Sequence, residues 1–169
     1  LYDFTAMGQG LRGYVWIFPV PGGRINVGAM HDAGADAELG GRALDELLRA
    51  SLARFGVVLR GPARGWPAWP YDPDRPIAAP HVLLAGDAAG IDALTGEGIA
   101  VGLEQGPLVA RTVRTGLASG DLRFVRHGHD VRRAPVGREL ATDGLLARLL
   151  YRAPAPEDVL SVVFDDERV

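Results

Sequence analysis

Between Val82 and Ile99 the chain reads VLLAGDAAGIDALTGEGI. Here residue types and spacing come closest to chemistry. Val82-Leu83-Leu84-Ala85 is a short apolar run, the pattern of a strand covered on both faces. Gly86 permits a sharp turn or a close approach. Asp87 follows just past the strand's carboxyl end, where open α/β sheets bind ligands. Gly96-Glu97-Gly98 then opens a helix, whose free N–H groups and positive dipole end attract anionic or electron-rich groups. The stretch therefore describes a cofactor pocket: one carboxylate for a hydroxyl, one helix end for negative charge. An Asp after a strand also serves as a plain turn cap; the glycine-rich helix start that follows is what favours the functional reading. Glu97 divides evenly between a first-turn acid favoured by the dipole and a group facing substrate.

The elements that must position these residues can be outlined. Leu1 to Thr5 reads as part of a strand. Tyr14–Pro19 and Arg24–Met30 read as strands of a hairpin across Val20-Pro21-Gly22-Gly23. Tyr14, Trp16 and Phe18 share one strand face; the bland reading is core, the functional one a substrate-lining wall. Ala37 to Phe55 has Leu44, Leu47, Leu48, Leu52 and Phe55 on one helix face, with Gly56 as its stop. Val57 to Arg60 reads as a short strand. Pro62, Pro67, Pro70, Pro73, Pro76 and Pro80 exclude a helix from Gly61 to Pro80, which becomes a crossover loop holding Trp66, Trp69 and Tyr71. A helix from Ile99 to about Gly116 is expected to pack through Ala100, Leu103, Gly106, Ala110 and Val113, with Pro107 inside it. Asp121 is expected to cap a helix reaching Arg133. Another runs from Arg138 to Tyr151, apolar at Leu140, Leu145, Leu146, Leu149 and Leu150. A tail from Glu157 to Val169 carries Asp165-Asp166-Glu167.

Several chemistries are excluded for this segment. It has no Cys, hence no disulfide, thiolate nucleophile or zinc–thiolate site. All 18 basic residues are Arg, so no lysine serves as base or Schiff-base former. The formal charge of −3 gives no reason to expect nucleic acid. His127 and His129 lie two residues apart on an expected helix and do not share a face, so no metal site is read there. His31, after the second hairpin strand, is the one histidine considered near substrate. No run approaches a membrane span. No G-x-G-x-x-G stands between a strand and a helix; Gly8-Gln9-Gly10 is the nearest piece.

Two segments carry a resemblance. Gly86-Asp87-Ala88-Ala89-Gly90 with Leu94-Thr95-Gly96-Glu97-Gly98-Ile99 resembles the second flavin motif of FAD-dependent oxidoreductases with the p-hydroxybenzoate hydroxylase type of fold. Within that group the match is to the geranylgeranyl reductase-like family. Upstream, Gly13-Tyr14-Val15-Trp16-Ile17-Phe18-Pro19 and Asn26-Val27-Gly28 resemble that family's G-Y-x-W-I-F-P segment. The spacing departs from it: only Ile91-Asp92-Ala93-Leu94 separate Gly90 from Thr95, without proline, closer to the aromatic hydroxylases.

The resemblance implies an α/β (α+β) chain. It would hold part of a Rossmann-like FAD-binding domain, part of an antiparallel-sheet substrate domain, and C-terminal helices. The expected divisions are 1–78, 79–120 and 121–169. FAD would be held by Gly86, Asp87, Ala88, Leu94, Thr95, Gly96, Glu97, Gly98 and Ile99, with the Asp on the ribityl chain. An apolar small molecule would meet Tyr14, Trp16 and Phe18, and NAD(P)H would supply electrons. The chain would be a C-terminal portion whose ADP-binding Rossmann half lies N-terminal to it, in a cytoplasmic protein. Membrane contact through the Leu-rich helix at Arg138–Tyr151 competes with plain bundle packing. The alternatives are an aromatic monooxygenase or halogenase, or a non-enzymatic module that needs a partner chain.

Overall fold

The hairpin is where the sequence pattern is most directly expressed. A computed structural model describes residues 1–34 and 39–153. β1 (Tyr2–Asp3), β2 (Gly13–Val20) and β3 (Arg24–His31) form an antiparallel sheet in that order. Its register pairs Trp16 with Gly28 and Phe18 with Asn26. The loop Pro21–Gly23 uses left-handed backbone at Gly22 and Gly23, φ 81° and 67°, where glycine adds no steric penalty.

Strand alternation sends Val15 and Ile17 to one face and Tyr14, Trp16 and Phe18 to the other. Val15 and Ile17 pack with Leu47, Leu48 and Leu52 of helix α1 (Gly41–Ala53), building a core that also takes in Ala6 and Leu11. The expected start of this helix at Ala37 lies outside the described residues. Gly56, at φ 70°, ends it: Gly56 N–H donates to Ala53 O and Val57 N–H to Leu52 O. The expected strand over Val57–Arg60 does not form. Its first N–H is spent on the helix end, and Arg49 takes the Leu59 and Gly61 carbonyls at 2.9 and 2.6 Å. Phe55, expected on the buried face, is exposed, because it lies beyond the last turn of α1.

The described residues divide into two compact units: 1–34 and 39–66 with 148–153, and 67–147. The second unit contains β4 (Ala78–Ala79) and β5 (Val82–Leu83), an antiparallel pair. It also contains the helices α2 (Ile99–Ser119) and α3 (His127–Arg133), and most of α4 (Pro135–Tyr151). Its core joins Tyr71, Ile77, Ala89, Val101, Val131, Val136 and Leu140.

Four expectations are corrected here. The strand over Val82–Ala85 is only Val82–Leu83, and it is not covered on both faces. Val82 is half exposed and Ala85 is exposed, and among the described residues β4 is the one strand paired with β5. Asp121 caps no long helix. Its carboxylate accepts from Arg123 N–H and pairs with the Arg123 side chain at 2.7 Å, and α3 starts six residues later. On α2 the buried positions are Val101, Gln105 and Gly116, while Leu103, Gly106, Ala110 and Val113 lie outward. On α4 the buried positions are Val136, Leu140, Ala147 and Tyr151, with Leu145, Leu146 and Leu149 exposed. No helix among the described residues is long and apolar enough to cross a membrane.

His127 is buried on α3 with Nδ1 3.0 Å from Thr112 Oγ1. That hydroxyl gives its single hydrogen to Leu108 O, so Nδ1–H is the donor to Thr112 Oγ1. Burial holds the imidazole pKa below its ordinary 6.5, partly opposed by Asp130. The folded state therefore resists a proton that the unfolded chain accepts. This contribution to stability is complete above about pH 6.5 and is lost as pH falls through it. The urea midpoint should fall between pH 7.5 and 5.5, with the pH taken in about half-unit steps. His127→Gln, which keeps an N–H donor, should show a shallower fall; equal slopes would assign the acid sensitivity elsewhere.

Candidate cofactor site

The turn after β5 begins at Gly86, whose φ of 56° is left-handed backbone. Gly86 O accepts from both Ala89 N–H and Gly90 N–H, closing a single 3-10 turn over Gly86–Ala88. The turn rests on α2: a Cβ at Gly86 would stand 3.5 Å from Gly102 Cα. From α2, Gln105 reaches back and accepts the Gly86 N–H through Oε1 at 2.8 Å. The result is a backbone turn held one side-chain length from the first turns of the helix.

This places Asp87 over the N-terminus of α2. A Cβ at Gly98 would collide with Asp87 Oδ1, and would stand 2.9 Å from its Cγ and 3.2 Å from Ile91 Cγ2. Gly98 is thus the residue that lets the carboxylate lie against the helix end. The Asp87 residue itself is exposed, as is Ala88 beside it.

The second part of the motif is organised by Asp92, a buried residue that sequence reasoning passed over. Asp92 Oδ1 accepts Leu94 N–H at 2.7 Å, and Oδ2 accepts the Thr95 hydroxyl at 2.6 Å. Its backbone accepts Gly96 N–H and donates to Glu97 O, both at 2.9 Å. Thr95 Oγ1 in turn accepts Glu97 N–H. The spacing Asp92-x-x-Thr95 is a side-chain-closed turn, and that was the available signal. Gln105 had a signal too: a polar residue at a buried helical position flanked by Val101 and Leu108.

Glu97 spends its side chain on the helix, Oε1 accepting Ala100 N–H at 2.9 Å. That geometry supports the helix-terminal reading rather than the substrate-facing one. Gly98 N–H and Ile99 N–H have no hydrogen-bond partner among the described residues. The assembled site is therefore one exposed carboxylate beside two free donors at a helix N-terminus. It can accept from a hydroxyl and donate to an electron-rich edge of the same ligand.

Tyr14, Trp16 and Phe18 belong to the other compact unit. They form an aromatic row with Tyr2 and Phe4: Tyr2 packs edge-on against Tyr14 at 5.1 Å and Phe18 at 5.3 Å, and Trp16 stacks on Phe18 at 6.4 Å. Gly28, opposite Trp16, leaves room for the indole, whose Nε1–H donates to Asn26 Oδ1 at 2.7 Å. This row faces away from the α1 core. His31, on the same strand pair, accepts Arg12 N–H at Nδ1, and its Nε2 is buried without a partner among the described residues. Burial lowers its pKa, opposed by Asp32 and reinforced by Arg12. Tyr71 is a core residue, whereas Trp66 and Trp69 are exposed, with Arg75 lying over the Trp69 ring.

The chain is similar to a protein named menaquinone reductase from Mycolicibacterium smegmatis, 34% identical over 119 residues. The match takes in 64% of this chain and 28% of that protein, so the chain spans well under a third of the relative's length. The likeness is thus to part of an oxidoreductase. No family model and no solved structure matches.

Asp92→Ala should cost about 1–3 kcal/mol, the usual penalty for stranding partly buried donors. Asp92→Asn, which keeps one acceptor for Leu94 N–H, should cost less. Urea unfolding at neutral pH distinguishes them; equal and negligible losses would show that the turn holds without Asp92.

Proposed function

We propose that the chain is the flavin-side portion of an FAD-dependent oxidoreductase resembling the geranylgeranyl reductases. In this reading it reduces an apolar, isoprenoid-bearing substrate with electrons from NAD(P)H. The observation that carries the reading is the seat of Asp87 against Gly98 at the start of α2. The relative's name adds weight, since menaquinone is a naphthoquinone with a polyprenyl tail.

The residues present fit the flavin. Asp87 would accept a hydrogen bond from a ribityl hydroxyl. Gly98 and Ile99 would turn their N–H groups to the pyrimidine edge, where fixed dipoles stabilise negative charge on the ring. Gly96, at φ 70°, and Gly98 keep side chains out of the ligand's way. Ala88, Leu94 and Thr95 would line the approach, and Glu97 holds the helix end in place. When bound, FAD supplies the hydride chemistry; the protein supplies position and electrostatics. The ADP half would fall to a nucleotide-binding Rossmann half elsewhere in the polypeptide. The aromatic row of Tyr14, Trp16 and Phe18 would wall an apolar substrate.

The test uses the protein expressed from its complete gene. It should purify with FAD, identified by visible absorbance and by the mass of the released cofactor. Asp87→Ala should weaken FAD binding about ten- to a hundredfold, as expected for one charge-assisted hydrogen bond of about 1.5–3 kcal/mol. Gly98→Val should do at least as much, and Asp121→Ala should leave binding unchanged. Under anaerobic conditions NAD(P)H should drive reduction of a polyprenylated quinone. Oxygen uptake with a hydroxylated product would instead make the protein a monooxygenase. Absence of flavin would remove the cofactor assignment.

A further inference from the structure

Leu11 is buried in the α1 core, so Arg12 leaves the first unit from a fixed point. Both backbone groups of Arg12 are tied to the end of β3. Its N–H donates to His31 Nδ1 at 3.1 Å, and its O accepts Asp32 N–H at 2.7 Å. The chain then turns: Asp32 Oδ1 accepts Gly34 N–H at 3.1 Å, and Gly34 takes the left-handed φ of 54°. Two cations meet at this turn. A Cβ at Gly34 would stand 3.3 Å from Arg12 Nη1 and 4.0 Å from Arg152 Nη2. Arg152 comes from a different element, one residue past the end of α4, next to the buried Tyr151. Neither guanidinium has a hydrogen-bond or ion-pair partner among the described residues. Asp32 is close enough to oppose the effect of Arg12 on His31, yet it pairs with neither arginine.

Like charges held around one point repel each other. An arginine just past a helix C-terminus also balances the dipole, but that role calls for no second cation beside it. We infer that Arg12 and Arg152 form a binding site for a phosphate group on the first unit. The site does not rest on the flavin reading, whose Asp87 and Gly98 belong to the second unit. A carboxylate offers two coplanar oxygens, which a single guanidinium fork satisfies. A phosphate carries oxygens in several directions and can accept from two forks that arrive from different elements. Even with Asp32 beside them, the two arginines keep a local positive charge in a chain of formal charge −3. Gly34 is exposed and has no side chain, so the space between the two guanidinium groups is open to a ligand. The phosphate arrives either free or carried on a larger molecule such as a nucleotide electron donor.

The test uses the protein expressed from its complete gene. Equilibrium dialysis with radiolabelled inorganic phosphate and with radiolabelled pyrophosphate compares it with four variants. These are Arg12→Gln, Arg152→Gln, Asp32→Asn and, as a control, Arg64→Gln at an exposed arginine of the same unit. Arg12→Gln and Arg152→Gln should each weaken binding about tenfold, the scale of one charge-assisted hydrogen bond. Asp32→Asn keeps an acceptor for Gly34 N–H and removes a repelling charge, so binding should tighten about threefold. A damaged fold does not tighten binding, which keeps the test clear of misfolding. Arg64→Gln should change nothing. Absence of saturable binding, or equal binding in the Arg12, Arg152 and Arg64 variants, overturns the inference. Displacement of the label by acetate at equal concentration overturns the phosphate assignment. FAD is measured on the same samples. Loss of flavin in the Arg12 and Arg152 variants overturns a site of its own, because the phosphate is then the cofactor's. Displacement of the label by NADPH or NADH supports the site with a nucleotide as the carrier. Label that both leave in place supports it with free phosphate as the ligand.

Discussion

One close approach governs the candidate site: the carboxylate of Asp87 lying over the α-carbon of Gly98. It requires that no side chain stand at the helix start. It also requires the preceding turn to sit low on the helix, which Gly86 and Gly102 permit by near contact of their backbones. Gln105 then fixes the turn by taking its leading N–H. Because that N–H can only donate, the amide is oriented with Oε1 inward, and Nε2 is left buried without a partner among the described residues. Such a group is costly to bury, so the gain from holding the turn must exceed that penalty.

The helix end is electrically less bare than glycine richness alone suggests. Glu97 already returns a carboxylate to Ala100 N–H, offsetting part of the dipole. What stays open among the described residues is the N–H groups of Gly98, Ile99 and Val101, the last on a buried residue. These few donors favour a partial or delocalised negative charge over a compact dianion, which would meet repulsion from both Glu97 and Asp87. This preference is electrostatic. It comes from residue order: acid first, then glycine, then helix.

How much was legible from sequence follows from which forces are local. The hairpin, its glycine turn and the strand alternation were readable because backbone sterics and period-two burial act over a few residues. The turn at Gly86 and the helix start at Ile99 were readable from the same local sterics. Asp92 was missed because its side chain does the work of a turn backbone, and attention went to the glycines around it. The strand assigned to Val57–Arg60 failed because the Arg49 guanidinium claimed the Leu59 carbonyl and that of Gly61 just beyond it. That competition has no signature within the four residues themselves. The buried face of α2 was misassigned because the helix carries two apolar stripes, and periodicity cannot say which one this part of the chain uses.

The sheet of the first unit shows the same ambiguity resolved the other way. Both faces of β2 are apolar, Val15 and Ile17 on one, Tyr14, Trp16 and Phe18 on the other. The aliphatic face took the amphipathic helix α1, leaving the aromatic face to pack largely on itself and on Tyr2 and Phe4. Branched aliphatic side chains interlock with leucines at high density. Flat rings do so less well, but they form edge and offset pairs with one another. The aromatic row is therefore not what the hydrophobic core of this unit required. Gly28 reinforces the point: its missing side chain makes space for the Trp16 ring on the face away from α1. A surface built at that cost to strand propensity has its rings held in place by neighbouring rings rather than by a covering helix.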